Sequence, residues 1–383
     1  MTRPTALLLS PVRPDAQGNG LARRAWMWAA TLAAGHELST IVLAAGDWAT
    51  EGRSTVPGTM AVLSVRRSPS PPDWIAADTE LAAALRAKLP TQAPARILVF
   101  RLYLLDVVAL LPPAWRDRIE LDCDDREASG RLDLARLALR RLRPRTMLGH
   151  LRGSLGYLRA ERRALRSLGL LYVAAEEDAA AMRRHAPPGV RVLAAPNRIA
   201  GTPAAVLVAD PAPPRRLLFV GTLGYLPNED AALWLAEAIA PRLRRLVPDA
   251  EIAVAGHGTT ARLTEALARA GLRHLGAPES LAEAYAGACL AIAPLRGGSG
   301  TKFKVLEAWL HGRPVVVTGH ACRGLGAVPD HHLLHADSAY GLAAACGQLL
   351  GDPALASRLA ANGQALLLER FLVAPPAGEN GRA

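Results

Sequence analysis

The chain has 383 residues, half of them apolar and 21% charged, with a net charge of +11 and a mean hydropathy of +0.13. That balance excludes a wholly disordered chain, and no apolar run approaches the ~20 residues of a membrane-spanning helix. The length exceeds the roughly 100–200 residues of one ordinary core, so two domains are expected.

In chain order, "TALLLS" (5–10) reads as a first strand. Its apolar run is too short for the core of a signal peptide, and Pro11 follows at once. A Gly/Pro loop, the helix "LARRAWMWAATLAAG" and the strand "LSTIVLAA" come next. "ARILVF", "RIELD" and "LLYVAA" are read as further buried strands with helices between them. Short apolar runs alternating with longer helical patterns are the signature of a parallel α/β sheet.

Between Arg131 and Arg166 stand eleven arginines against Asp133 and Glu161, a local net charge of +9 in an otherwise nearly balanced chain. This face calls for a phosphorylated substrate, an anionic membrane or a nucleic acid, unless it is simply a solvated helix surface. The nucleic-acid reading lacks a recognition motif and aromatic interleaving, since Tyr157 is the one aromatic residue in the stretch.

"AGTPAAVLVADPAPPRR" (200–216) is rich in Pro and Ala, lacks periodicity and reads as a linker. The strand–helix pattern then restarts. "RLLFVG" leads to a helix from about Asn228 to Leu246, with Asn228 as its cap. "AEIAVAG", a helix around "TTARLTEALARAG", "RHLG", the helix "SLAEAYAGA" and "CLAIAP" follow, and "RPVVVT" closes the run. The expected division is residues 1–200, a linker at 201–215, residues 216–365, and a tail at 366–383 that packs back on the first domain. Two such doubly wound domains set their carboxyl-end loops face to face across a cleft, where these sheets bind ligands. Cys123, Cys289, Cys322 and Cys346 lie far apart with no metal-ligand spacing, so they read as small buried hydrophobes in a reducing cytoplasm.

The stretch "LRGGSGTKFKVLEAWLHGRPVVV" (295–317) carries the most chemistry. A strand ends, a glycine loop follows, "TKFKVLEAWLH" is a helix, and Gly312 stops it. At 100° per residue Val305, Leu306, Trp309 and Leu310 form an apolar arc with Phe303 at its edge. Lys304, Glu307 and His311 share the opposite face, and on spacing alone they read as an ordinary solvated face with i,i+3 and i,i+4 pairing. Lys302 sits in the first turn, where a cation opposes the helix dipole unless an anion is also present. Free N–H groups at the helix start, the glycines Gly297, Gly298 and Gly300 with Ser299 and Thr301 between and after them, and Lys302 together make a phosphate cradle. Arg296 is placed to close a fork on the same anion. Gly221 and Thr222, in "VGTLGYLPNED", stand at the analogous strand end. Gly256, in "AGHG", is equally well read as a turn glycine, and His257 as an exposed loop histidine.

With those residues quoted, the second half resembles the nucleotide-sugar-binding domain of retaining GT-B-fold glycosyltransferases of the family-four type (group 1 glycosyltransferases). The resemblance rests on "FVGTLGYLPNEDAALWL", "AVAGHG" and "HLGAPESLAEAYAGACLAIAPLRGGSGTKFKVLEAWLHGRPVVVT" and their order, over 215–365. The variant motif is similar to a subgroup associated with exopolysaccharide and exosortase functions. The resemblance implies that Glu307 holds the donor ribose. It puts Ser299 where the family has another glutamate, and Leu223 and Asn228 near the positions of a usual Arg and Lys. Arg296 and Lys302 are then the cations expected to meet the donor pyrophosphate. In the first half, "PDAQGNGLARRA" resembles the family's glycine loop. It implies that Gly18, Asn19 and Gly20 approach the reacting sugar, with Arg23 or Arg24 behind them. "ELDCDD" resembles an acidic strand end, with Asp122, Asp124 and Asp125 in turn, cap or acceptor roles, Asp124 being the acceptor-side candidate. "YVAAEEDAAAM" and "APN", ending at Asn197, resemble the closing elements of that domain.

The implied activity is transfer of a sugar from a nucleotide diphosphate sugar to a hydroxyl acceptor, a polysaccharide or lipid-linked saccharide precursor, with retained configuration. No metal or other cofactor and no nucleic acid is implied. The basic stretch suits a peripheral contact with the inner membrane face. Competing readings are a non-catalytic sugar-nucleotide-binding or scaffold protein and, on shared architecture, a non-hydrolysing sugar-nucleotide epimerase.

Overall fold

The computed structural model describes residues 3–16, 18–45, 56–67, 74–206, 215–278, 280–298 and 302–373. Ser299, Gly300 and Thr301, linker residues 207–214 and the tail from 374 onward lie outside the described residues. The chain divides into two compact units. One spans Met1–Leu132 and Leu148–Arg198, the other Asp133–Met147 and Ile199–Ala374. Fifteen residues of the basic stretch, Asp133–Met147, belong to the second unit.

In the first unit β1 (Thr5–Ser10), β2 (Glu37–Ala44), β3 (Thr59–Ser64), β4 (Arg96–Phe100), β5 (Ile119–Asp122), β6 (Leu170–Val173) and β7 (Arg191–Ala194) form one sheet in the order β3-β2-β1-β4-β5-β6-β7. Every pairing is parallel. The helices α1 (Gly20–Gly35), α2 (Thr79–Arg86), α3 (Glu127–Arg140), α4 (Pro144–Ser167) and α5 (Glu176–Arg183) intervene, α3 and α4 crossing the boundary into Asp133–Met147. The central strands are apolar on both faces, with Leu7, Leu8, Leu9, Leu98 and Val99 fully buried, as a doubly covered parallel sheet requires. β3 ("TMAVLS") is an edge strand of mostly exposed residues and β7 ("RVLA") is only partly buried, and neither was among the strands expected from the sequence.

The second unit repeats the plan. After β8 (Ile199–Ala200) come β9 (Arg215–Val220), α6 (Leu226–Trp234), α7 (Ala240–Leu246), β10 (Ala250–Ala255), α8 (Ala261–Arg269), β11 (Arg273–His274) and α9 (Leu281–Ala286). Then follow β12 (Leu290–Ala293), α10 (Phe303–Leu310), β13 (Val315–Val317), α11 (Gly319–Cys322), β14 (Leu334–His335), α12 (Ala339–Gly351), α13 (Pro353–Arg370) and β15 (Leu372–Val373). The parallel sheet runs β11-β10-β9-β12-β13-β14. A π-helical segment, Leu235–Ile239, joins α6 to α7 just ahead of Pro241, whose missing N–H removes a bond that a regular helix would make there. The expected boundary at 365 falls inside α13. That helix continues because Leu366, Leu367 and Phe371 are buried in the second core, and β15 then pairs with β8; the rest of the expected tail lies outside the described residues. Cys123 and Cys346 are buried and Cys289 and Cys322 partly so, all four as free thiols.

Trp309 anchors the second core from α10 and is fully buried. A Cβ at Gly363 would lie 2.2 Å from the Trp309 indole Nε1, so α13 approaches this closely only because position 363 has no side chain. Gly363→Ala is expected to lower stability by about 1–3 kcal/mol through overpacking. Denaturant melts of the variant with an unchanged midpoint would refute that packing account.

Candidate functional site

In both sheets the strand order reverses beside the first strand, between β1 and β4 and between β9 and β12. Loops at the carboxyl ends of strands flanking such a switch point form the natural crevice of this architecture. In the second unit those loops are Gly221–Tyr225, after β9, and Pro294–Gly298, after β12.

The β9 loop is built on contacts that exclude side chains. A Cβ at Gly221 would lie 2.8 Å from the Asn228 side chain, and one at Gly256 (φ +148°) would lie 1.8 Å from the Gly221 carbonyl oxygen. Gly256 is therefore required by packing against the neighbouring strand end. His257 is exposed, as expected. Thr222 is exposed, and its carbonyl accepts from Asn228 Nδ2 at 2.9 Å. Asn228 is not the helix cap: α6 begins two residues earlier, with Tyr225 at the cap position. The asparagine lies inside the first turn, and its Oδ1 accepts from Lys304 Nζ at 2.8 Å.

That contact overturns the reading of Lys304, Glu307 and His311 as a solvated face. Lys304 is partly buried with its ammonium over the Phe219 ring (5.5 Å), Glu307 is only 7% exposed, and His311 stacks on Tyr285 with ring centroids 5.0 Å apart. The polar side of α10 faces other elements of the unit, which amphipathic spacing alone cannot reveal. Lys302 is 8% exposed and serves as the cap residue of α10, one position ahead of the first turn, with Nζ 3.4 Å from the Gly298 carbonyl. Burial, then repulsion from Lys302, pushes the Lys304 ammonium down to about 8, with Glu307 opposing the shift. Burial and then Lys302 also push the His320 imidazole down, and its neutral ring donates from Nε2 to the Gly298 carbonyl at 2.5 Å. Lys302 and His320 thus meet the Gly298 loop and Lys304 meets Asn228 by the β9 loop, with Glu307 and, 3.9 Å from His320, Asp133 as the nearby carboxylates. The arrangement is suited to receive an anion.

Arg296 lies differently from expectation. Its guanidinium makes a bidentate pair with the fully buried Asp230 (Nε–Oδ2 2.9 Å, Nη2–Oδ1 2.8 Å) and covers the Trp234 ring at 4.4 Å. The fork expected to grip a ligand anion is therefore occupied by a protein carboxylate. Arg141 joins the same aspartate at 2.8 Å, and Arg143 brackets Glu229 with two 3.1 Å bonds. Part of the basic stretch is thus neutralised within the second unit. Gly297 also has a packing role: a Cβ there would meet Leu137 at 2.8 Å. Gly298 takes φ +103°, a conformation that favours glycine.

In the first unit, Arg24 is fully buried against Asp122 (Nε–Oδ2 2.6 Å, Nη2–Oδ1 2.7 Å) and also donates to Asn197 Oδ1 and the Ala195 carbonyl, both at 2.9 Å. Trp28 Nε1 donates to the same aspartate at 2.6 Å. Asp122 and Asn197 are therefore structural partners of Arg24. Asp124 has φ +61° and pairs with Arg101 at 2.6 Å, and burial followed by the neighbouring Asp125 raises its carboxyl above the usual range. Asn19 caps α1, accepting from the Ala22 amide at 3.0 Å, and Gly20 begins the helix. A Cβ at Gly18 would press on Ala22 at 2.8 Å. Among the described residues no group of three or more His, Cys, Asp or Glu side chains is arranged to hold a metal ion, and no helix is long and apolar enough to cross a membrane.

Residues 214–352 match the family model described as "Glycosyl transferases group 1". Among solved structures, Anabaena Alr3699/HepE in complex with UDP and glucose is similar at 12% identity and a TM-score of 0.64, covering 96% of this chain and 95% of that one. WaaG, a glycosyltransferase involved in lipopolysaccharide biosynthesis, is similar at 15% identity and 0.55, covering 95% of each chain. S. aureus TarM is similar at 10% identity and 0.55 over 72% of this chain, which spans only 52% of TarM's length. No curated protein matches the chain. The fold is that of the GT-B glycosyltransferases, with two Rossmann-like units.

Proposed function

We propose that the protein is a glycosyltransferase that moves a sugar from a nucleotide diphosphate sugar to a hydroxyl acceptor with retained configuration. The observation that carries this reading is the placement of Lys302 and His320 at Gly298 and of Lys304 at Asn228, on the two loops that flank the β9/β12 switch point. Two ammonium groups beside a helix start and its glycine loop suit an anion, and a diphosphate supplies that charge. The family match over the same unit and the UDP and glucose bound by the Anabaena neighbour support a sugar nucleotide as the anion.

In the reaction the bond from the anomeric carbon to the diphosphate breaks, and a bond to the acceptor oxygen forms on the same face of the sugar. The acceptor hydroxyl gives up its proton to the departing diphosphate as the new bond forms. Negative charge grows on the departing diphosphate, where Lys302, Lys304 and the amides at the start of α10 meet it. Glu307 is assigned to the donor ribose, and Gly221, Thr222 and the 297–301 loop to its phosphates. Gly18, Asn19, Gly20 and Asp124 are assigned to the acceptor side. The acceptor would be a polysaccharide or lipid-linked saccharide precursor, in keeping with the role of WaaG in lipopolysaccharide biosynthesis, and no metal or other cofactor is proposed.

The ammonium of Lys304 gives the donor site a pH dependence. An anion prefers the protonated lysine, so nucleoside diphosphate affinity should be full near pH 7 and fall by up to about tenfold by pH 9. In the free protein the same shift works the other way: the Lys304 contribution to stability rises with pH between about 8 and its ordinary 10.5. Calorimetric titrations of Lys304→Met should show weaker binding with that pH dependence removed. An identical pH profile in the variant would exclude Lys304 as its source.

A second reading, a sugar-nucleotide-binding protein without turnover, draws on the engagement of Arg296 by Asp230 and on Ser299 at the position of a family glutamate. A thermal-shift screen against UDP, GDP, ADP and their common sugars, followed by turnover of the best ligand, separates the two. Binding without turnover of any donor favours the second reading, and no binding at all defeats both.

A further inference from the structure

Among the described residues, three of the thirteen exposed large hydrophobic side chains lie within eight residues of one helix of the first unit. On α4, Leu148, Leu151 and Leu155 are 45%, 37% and 56% exposed. At 100° per residue they share an arc of about 100° with Arg152, Arg159 and Arg162. The opposite side of the helix is buried through Tyr157, Ala160 and Ala164. The one acidic residue of α4, Glu161, is buried on that inner side and accepts from the Ala128 amide at 3.1 Å. The outward face therefore carries leucines and arginines with no acid between them. Arg152, Arg159 and Arg162 have no carboxylate partner among the described residues, in contrast to Arg141 and Arg143.

We infer that this face of α4 docks on an anionic lipid bilayer, setting Leu148, Leu151 and Leu155 at the headgroup boundary while Arg152, Arg159 and Arg162 meet lipid phosphates. An apolar line flanked by cations along a surface helix is the pattern of helices that lie in a membrane interface. Arginine stems are long enough to keep the guanidinium at the phosphates while the helix sinks. A face of leucines and cations without acids is complementary to a laterally uniform anionic surface that has an apolar interior beneath it. The contact extends the reading of a lipid-linked acceptor by stating how the enzyme reaches one, and its test needs no turnover.

The full chain is co-sedimented with phosphatidylcholine vesicles with and without phosphatidylglycerol. Binding should be at least about tenfold stronger to the anionic vesicles. The triple variants Leu148→Ser/Leu151→Ser/Leu155→Ser and Arg152→Gln/Arg159→Gln/Arg162→Gln should each lose about tenfold of it, with thermal midpoints and nucleotide-induced shifts unchanged. The inference is overturned if the wild type does not bind anionic vesicles, if it binds neutral ones equally, or if either triple variant binds as the wild type does. Self-association in sedimentation velocity that vanishes in the leucine variant, without vesicle binding, would assign the face to a second copy and also overturn it. Vesicle binding with no donor turnover would leave the inference standing and remove the transferase reading alone.

Discussion

Lys302→Ala should lower turnover of the best sugar nucleotide by about 10²–10³, equivalent to ~2.7–4 kcal/mol of transition-state stabilisation. The side chain is nearly buried and caps α10 beside the glycine loop, where no acidic residue occupies the first turn of the helix. A cation there opposes the helix dipole, and an anion bound at the same helix start would offset that opposition. The same change should leave the free fold intact, because it relieves repulsion with the Lys304 ammonium. The decisive pattern is a large fall in turnover with no fall in thermal midpoint. Near-wild-type turnover would remove Lys302 from the chemistry, and a collapsed midpoint would make it a structural lysine.

Asp122→Ala should destabilise the protein by about 3–5 kcal/mol, because it leaves the Arg24 guanidinium buried without its bidentate partner. The loss also strips the acceptor from Trp28 Nε1. Truncating both members, as in Arg24→Met/Asp122→Leu, should recover part of the loss, since an apolar pair of similar volume replaces the charges. Denaturant melts check both variants, and a single variant within 1 kcal/mol of the wild type would contradict the buried-pair account.

Much of the fold was legible because parallel strands covered on both faces are written as unbroken apolar runs, as in "ALLLS", "ILVF" and "LAIA". β3 ("TMAVLS") and β7 ("RVLA") are harder to read, since apolar runs of only three or four residues do not by themselves mark a strand. The glycine loop and Lys302 were legible from local order alone, strand then glycines then helix. Lys304 was missed because its burial depends on Asn228, 76 positions away, and on Phe219 beneath it. The signal that could have found it was a lysine two positions from another lysine at a helix start, where one cation is already unfavourable. Arg296 shows the converse. Its position beside the glycines suggested a ligand fork, but Asp230 lies 66 residues earlier and takes the guanidinium. A long-range ion pair leaves no trace in local spacing. The same holds for Asp133–Met147, whose Arg141 and Arg143 are tied to Asp230 and Glu229 by pairings that a count of arginines cannot show.

The most direct test is equilibrium titration of UDP, GDP and ADP at pH 7 into the wild type and Lys302→Ala. The lysine-lined glycine loop predicts micromolar binding of at least one of the three, weakened by at least about tenfold in the variant. Failure of all three to bind the wild type, or equal affinity in the variant, would contradict a diphosphate site at this loop.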